Sequence, residues 1–133
     1  MNLALDSSAI IALLKDEPGA DVVERLLLDS DNVCYAHAVN LCEVYYDFLR
    51  MGGEDVAQAA LSTLAGLGIV FSEEMDKDVW QEAGRHKAQL KLPLGDCFLL
   101  AMASRIGGEA VTADRKDFEP VAAGGKLSVR FIR

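Results

Sequence analysis

Leu3-Ala4-Leu5 is a short apolar run cut off by Asp6-Ser7-Ser8. The apolar stretch after it, Ala9 to Leu14, is too long and too rich in alanine and leucine to be a second strand. The pattern predicts a strand and then a helix. Val22, Val23, Leu26 and Leu27 recur at helical spacing and predict a second helix from Ala20 to about Asp29, with Pro18 near its start, where proline's fixed φ is tolerated. Asn32 to Ala36 reads as the second strand. From His37 to Met51, Leu41, Val44, Tyr45, Phe48 and Leu49 fall on one side of a long helix that Gly52-Gly53 stops. A helix from Glu54 to Leu67 and a short strand from Gly68 to Phe71 follow.

In the second half, Val79, Trp80, Ala83 and Leu90 stand among many charges and predict a solvated amphipathic helix from Met75 to Leu90, which Lys91-Leu92-Pro93-Leu94-Gly95 breaks. The segment from Asp96 to Ile106 is apolar on every side, so its helix belongs in the interior. After Gly107-Gly108 comes a buried strand, Ala110 to Ala113, ending at Asp114. The pattern predicts no element between Asp114 and the last strand, Val129 to Ile132. Strands separated by helices imply an α/β fold: a central, mainly parallel sheet of four to five strands covered on both faces.

A chain of 133 residues that is 51% hydrophobic has the size of one compact domain, and neither an internal repeat nor a linker divides it. The expectation is a single domain over residues 1–133. No stretch approaches the roughly 18 to 20 apolar residues of a membrane span, and the N-terminus shows no basic leader. These features predict a soluble, cytoplasmic protein. Cys34, Cys42 and Cys97 are odd in number, lack CxxC spacing and lie in apolar segments, which predicts buried free thiols. The net charge of −8 weakens a simple nucleic-acid-binding reading, because phosphate contacts come from Lys and Arg. A carboxylate cluster neutralised by bound cations would change that balance.

Asp6 and Asp114 are predicted at the C-terminal ends of two strands, where ligands of parallel α/β sheets bind. Asp96 is predicted to open the buried helix, and Glu43 lies in the helix after the second strand, with Asn40 one turn before it on the same face. Four converging carboxylates repel one another unless a hard divalent cation joins them. All-oxygen ligands suit Mg²⁺ or Mn²⁺, and such sites serve phosphoryl transfer. Taken singly, each residue also has a plainer role: Asp6 and Asp96 as helix caps, Glu43 as a solvated helix residue, Asp114 as a turn aspartate.

Leu5-Asp6-Ser7-Ser8-Ala9, Asn40-Leu41-Cys42-Glu43-Val44, Leu94-Gly95-Asp96-Cys97 and Val111-Thr112-Ala113-Asp114-Arg115-Lys116-Asp117-Phe118 together resemble the motifs of the PIN-domain family, specifically the VapC toxins of toxin–antitoxin pairs. The resemblance runs over the whole chain in motif order. It implies a three-layer α/β/α fold with a twisted sheet and a Mg²⁺- or Mn²⁺-dependent endoribonuclease with Asp6, Glu43, Asp96 and Asp114 as catalytic and metal-binding acids. Ser8 and Thr112 would orient a carboxylate or water, Asn40 would stand behind the ligands, and Asp117 would be an optional further acid. Capping or strand propensity explains Ser8 and Thr112 equally well, and capping explains Asp117.

His37 departs from the small hydroxyl residue usual in the family and is expected to be structural. Arg85, Arg115 and Lys116, with Lys87 and Lys91, are the candidates for contact with an RNA backbone. The resemblance further implies in-line attack by metal-activated water, a cognate antitoxin whose C-terminal segment covers the groove, and a homodimer. Two other readings remain: a metal-dependent phosphatase, against which Ser8 counts because such enzymes place a second Asp there, and a non-catalytic PIN-fold protein-interaction module, against which the full set of acids counts.

Overall fold

A computed structural model describes every residue from Met1 to Arg133. The strands are β1 (Asn2–Leu5), β2 (Val33–His37), β3 (Val70–Ser72), β4 (Glu109–Thr112) and β5 (Val129–Phe131). The helices are α1 (Ser7–Lys15), α2 (Ala20–Leu28), α3 (Ala38–Gly52), α4 (Glu54–Gly66), α5 (Lys77–Gln89), α6 (Leu94–Arg105) and α7 (Arg115–Ala123). All five strands are parallel, in the order β3-β2-β1-β4-β5. Strand order therefore reverses at β1, which has β2 on one side and β4 on the other.

Successive side chains of a strand point to opposite faces, and the two cores follow that alternation. Leu3 and Leu5 of β1 join Ala36, Val111 and residues of α1 to α4 on one face, whereas Ala4 and Ala110 join α5, α6 and α7 on the other. The result is the three-layer α/β/α arrangement. α6 buries Cys97, Leu99, Leu100, Ala101, Met102 and Ala103, as its all-round apolarity requires. Gly108 brings α6 back to the sheet, because a Cβ there would collide with the backbone carbonyl of Asn2.

α7 is the element missing from the sequence pattern. Pro120 inside it and Gly124-Gly125 after it look like loop punctuation, yet Phe118 and Val121 are buried and Asp114 caps the first turn. Burial and a cap outweigh the backbone hydrogen bond that proline cannot donate. Other differences are at boundaries. His37 closes β2 and caps α3 rather than opening the helix, and Asp76 caps α5. α6 begins at Leu94 with Pro93 at its cap, so Asp96 is the third helical residue and neither opens nor caps the helix. One expectation about thiols fails: Cys34 and Cys97 are buried, but Cys42 is exposed. It lies between the buried stripe of Asn40, Val44 and Phe48, on the part of α3 that faces solvent. No helix is long and apolar enough to cross a membrane.

Candidate metal centre

β1 and β4 are neighbours, and the Asp6 N–H extends their pairing by donating to the Val111 carbonyl at 3.0 Å. Asp6 and Asp114 therefore emerge side by side at the C-terminal edge of the sheet, where the strand order reverses. Such a switch point opens a crevice, since the connections on its two sides lead away from each other. α3, following β2, brings Glu43 to the crevice, and the first turn of α6 brings Asp96.

Asp6 is 2% exposed and caps α1. Its Oδ1 accepts from the Ala9 N–H at 2.8 Å and the Ser8 hydroxyl at 2.7 Å, and its Oδ2 accepts from the Thr112 hydroxyl at 2.5 Å. The directions of these bonds are fixed by their neighbours. Ser8 Oγ accepts the Ala113 N–H at 2.9 Å and Thr112 Oγ1 accepts the Asp114 N–H at 3.0 Å. Each hydroxyl has one proton, and each gives it to Asp6. Ser8 and Thr112 thus hold a carboxylate in place while tying it to the loop that carries Asp114. Burial pushes Asp6 up to about 6 despite these bonds, with the charge of Glu43 adding to the rise.

Glu43 is held from two sides. Asn40, wholly buried, donates through Nδ2 to Glu43 Oε1 and to the Gly95 carbonyl, each at 3.1 Å. The reversed amide would set its oxygen against two acceptors, so both Nδ2 protons are committed here. Gly95 provides the room: a Cβ at that position would fall 2.5 Å from Glu43 Oε1. The glutamate carboxylate therefore lies directly against the first turn of α6, one residue before Asp96.

Asp96, Asp114 and Asp117 each offer a carboxylate oxygen, and these oxygens lie within 4.8 Å of one another. Asp114 caps α7 by accepting the Asp117 N–H at 3.1 Å, and the three-residue spacing puts both acids on the first turn. Asp96 is pushed up to about 7, first by burial and then by the charges of Asp6, Glu43, Asp114 and Asp117. Partial burial, then its hydrogen bond to Asp114 and that neighbour's charge, raises Asp117, while Lys116 pulls the other way. Negative charge is thus concentrated where only a cation or a proton relieves it. The all-carboxylate, half-buried donor set fits a hard divalent ion.

The sequence motifs bring Asp6, Glu43, Asp96 and Asp114 to this crevice together with Ser8, Asn40 and Thr112. Asp117 stands among the clustered oxygens rather than at the margin. The Asp-x-x-Asp spacing would have suggested this had α7 been recognised. Gly95 has no signal of its own, because nothing in a single sequence distinguishes a glycine that accommodates a carboxylate from one that ends a helix. His37 has both ring nitrogens in use: Nδ1 accepts the Val39 N–H at 3.1 Å, and Nε2 is 2.7 Å from the Glu74 carbonyl. It also stacks on Phe98 and serves the fold. Arg115 is engaged with the Arg133 carbonyl, with Glu119 and with the ring of Phe131, whereas Arg85 and Lys116 project freely.

The PIN domain family model matches residues 3–124. No curated protein matches the chain. Solved structures share its fold. VapBC-1 from nontypeable Haemophilus influenzae is 17% identical with a TM-score of 0.75, over 99% of this chain and 98% of that one. VapC20 from Mycobacterium tuberculosis, a sarcin-ricin loop cleaving toxin, is 21% identical with a TM-score of 0.70, over 96% of this chain and 98% of that one. VapBC2 from Rickettsia felis, solved with a DNA fragment from the promoter, is 15% identical with a TM-score of 0.75, over 98% of each chain.

Proposed function

Because this chain belongs to the PIN-domain family and gathers its acids at the switch point of the sheet, we propose that it is a Mg²⁺- or Mn²⁺-dependent endoribonuclease, the toxin of a type II toxin–antitoxin pair. The observation that carries the reading is the convergence of Asp6, Glu43, Asp96, Asp114 and Asp117 from well-separated segments, against their mutual repulsion. A merely structural surface has no reason to hold like charges in this way.

Asp96, Asp114 and Asp117 would hold the ion, with Asp6 and Glu43 completing the acid set. When bound, a divalent ion supplies charge neutralisation for the incoming phosphate and acidifies a water nucleophile. The protein's own part is positional. Ser8 and Thr112 fix Asp6, Asn40 fixes Glu43, and Gly95 leaves room for the Glu43 carboxylate. The reaction is hydrolysis: a water oxygen bonds to phosphorus as the P–O3′ bond breaks, leaving a 5′-phosphate and a 3′-hydroxyl.

Fold neighbours that include a toxin–antitoxin complex support an antitoxin partner. Between α3, α4 and β3, an apolar hollow of about 320 Å³ lined by Leu41, Cys42, Tyr45, Leu61 and Phe71 offers that partner a seat. The net charge of −8 suits a basic inhibitory segment. A second copy of the chain and a cytoplasmic location complete the proposal. Its test is cleavage of total RNA by antitoxin-free protein with Mg²⁺, Mn²⁺ or chelator, followed by end analysis. Metal-dependent fragments with 5′-phosphates are expected. Fragments ending in 2′,3′-cyclic phosphate, or cleavage that survives the chelator, would sink it.

A further inference from the structure

Most of the chain's cations are spent internally. Lys15, Arg25, Arg105, Arg115, Arg130 and Arg133 are in ion pairs, Arg50 lies over the ring of Tyr46, and Lys87 donates to the Leu92 carbonyl at 2.7 Å. Lys91 and Lys116 are exposed and take part in no ion pair. Both line one cavity of about 400 Å³ between the α5–α6 loop and α7, and Asp117 of the acidic cluster lines it as well. Lys77 and Arg85 of α5 and Lys126 are also unpaired, and Lys126 borders a separate hollow beside Gly107 and Gly108, at the N-terminal end of β4.

The cavity wall combines three chemistries. Two ammonium groups suit a phosphate, the Gln89 amide can donate to and accept from a base edge, and Leu92, Pro120 and Val121 give an apolar surface for a ring. Its volume falls in the ordinary range of small-ligand sites, about 300–1,000 Å³, which accommodates an unstacked nucleotide and excludes a duplex. Asp117 belongs to both sites, so a strand whose scissile phosphate lies on the acids continues directly into this cavity.

We propose that the cavity between the α5–α6 loop and α7 is a nucleotide subsite of the cleavage groove. Lys91 and Lys116 take the phosphate next to the scissile one, and its base lies on Leu92, Pro120 and Val121. The inference rests on the ribonuclease reading above. It also bears on the charge problem of an acidic nuclease, since Lys91 and Lys116 place two unpaired cations next to the acidic cluster. A base enters such a cavity only when it is out of a stack.

The test uses a labelled ten-nucleotide single-stranded RNA chosen from sequences that the wild-type protein cuts in total RNA. Lys91→Ala/Lys116→Ala is compared with wild type and with Lys126→Ala. The double variant should bind Mn²⁺ like wild type in calorimetry. Its KM should rise roughly three- to tenfold, the size expected of two exposed ion pairs, with the effect on KM rather than kcat. The slope of log KM against log salt should flatten by about 0.7 for each phosphate that the variant no longer neutralises. Kinetics and salt slope matching those of Lys126→Ala would overturn the subsite while leaving the nuclease intact. If the double variant instead loses binding of a polyglutamate peptide and keeps its RNA kinetics, the cavity serves an acidic protein segment and the proposal falls. If the wild type cuts no RNA under any metal condition, the ribonuclease reading itself falls, and the subsite with it.

Discussion

Asp6 and Asp96 hold their protons more tightly in the folded chain than an exposed carboxyl would, at about 6 and about 7. A carboxyl raised in this way favours the fold fully below the unfolded value near 3.9, and that contribution is lost as pH rises through the folded value. For Asp6, almost wholly buried, a rise from 3.8 to about 6 corresponds to roughly 2–3 kcal/mol. Metal-free protein should therefore lose stability between pH 4 and pH 8. Asp96→Asn removes the charge that four neighbouring acids oppose. In metal-free protein at pH 8 it should gain about 1 kcal/mol, roughly 3–5 °C in Tm, and gain little at pH 4.5. A lower Tm for this variant at pH 8 would mean that Asp96 is a structural acid. Gly95→Ala also perturbs one acid, but by displacement. Its methyl group would land on the Glu43 carboxylate, whose end can swing away, so the fold survives while the acid leaves its place. Mn²⁺ affinity and cleavage should fall roughly 10- to 100-fold, as when the support behind a metal ligand is removed. An unchanged calorimetric titration would show that the position of Glu43 does not matter.

Local sequence was informative about the elements where apolar periodicity was strong and misleading where punctuation residues stood inside an element. β1, α3 and the all-apolar α6 were legible because burial on one or both faces leaves its mark on composition. α7 was not, because its stability comes from Phe118 and Val121 meeting a core that only the tertiary fold supplies. The same separation of local from tertiary effects gives a clean stability test in α5. Gly84 sits mid-helix, exposed, with nothing near the position of a Cβ and no positive φ. Gly84→Ala should stabilise the protein by about 0.5–1 kcal/mol in urea unfolding, with no change in metal affinity. A destabilised variant would contradict the helix as described.

The whole molecule is a scaffold that holds like charges together by making two of them working parts of its frame. Asp6 caps α1 and Asp114 caps α7, so neither can be withdrawn without loosening a helix start. Their dual use explains why the site was partly legible: taken singly, Asp6 read as a helix cap and Asp114 as a turn aspartate, and only the motif order pointed to a common centre. It also ties stability to the ion. Mn²⁺ at about 100 times its dissociation constant should stabilise the fold by about 2.7 kcal/mol. The rise in Tm should be larger at pH 8 than at pH 5.5, since protons compete for the raised acids. Equal rises at both pH values would place the ion elsewhere.

If this acidic cluster, and not another surface, cuts RNA, then cleavage and metal-free stability must respond in opposite directions to the loss of one acid. Mn²⁺-dependent cleavage of total RNA by wild type and Asp96→Asn, at equal folded concentration and pH 8, decides the matter. Fragments are expected from the wild type and none above background from the variant, although the variant melts at the higher temperature when metal-free. Cleavage by Asp96→Asn at the wild-type rate would place the chemistry outside the cluster and contradict the proposed function.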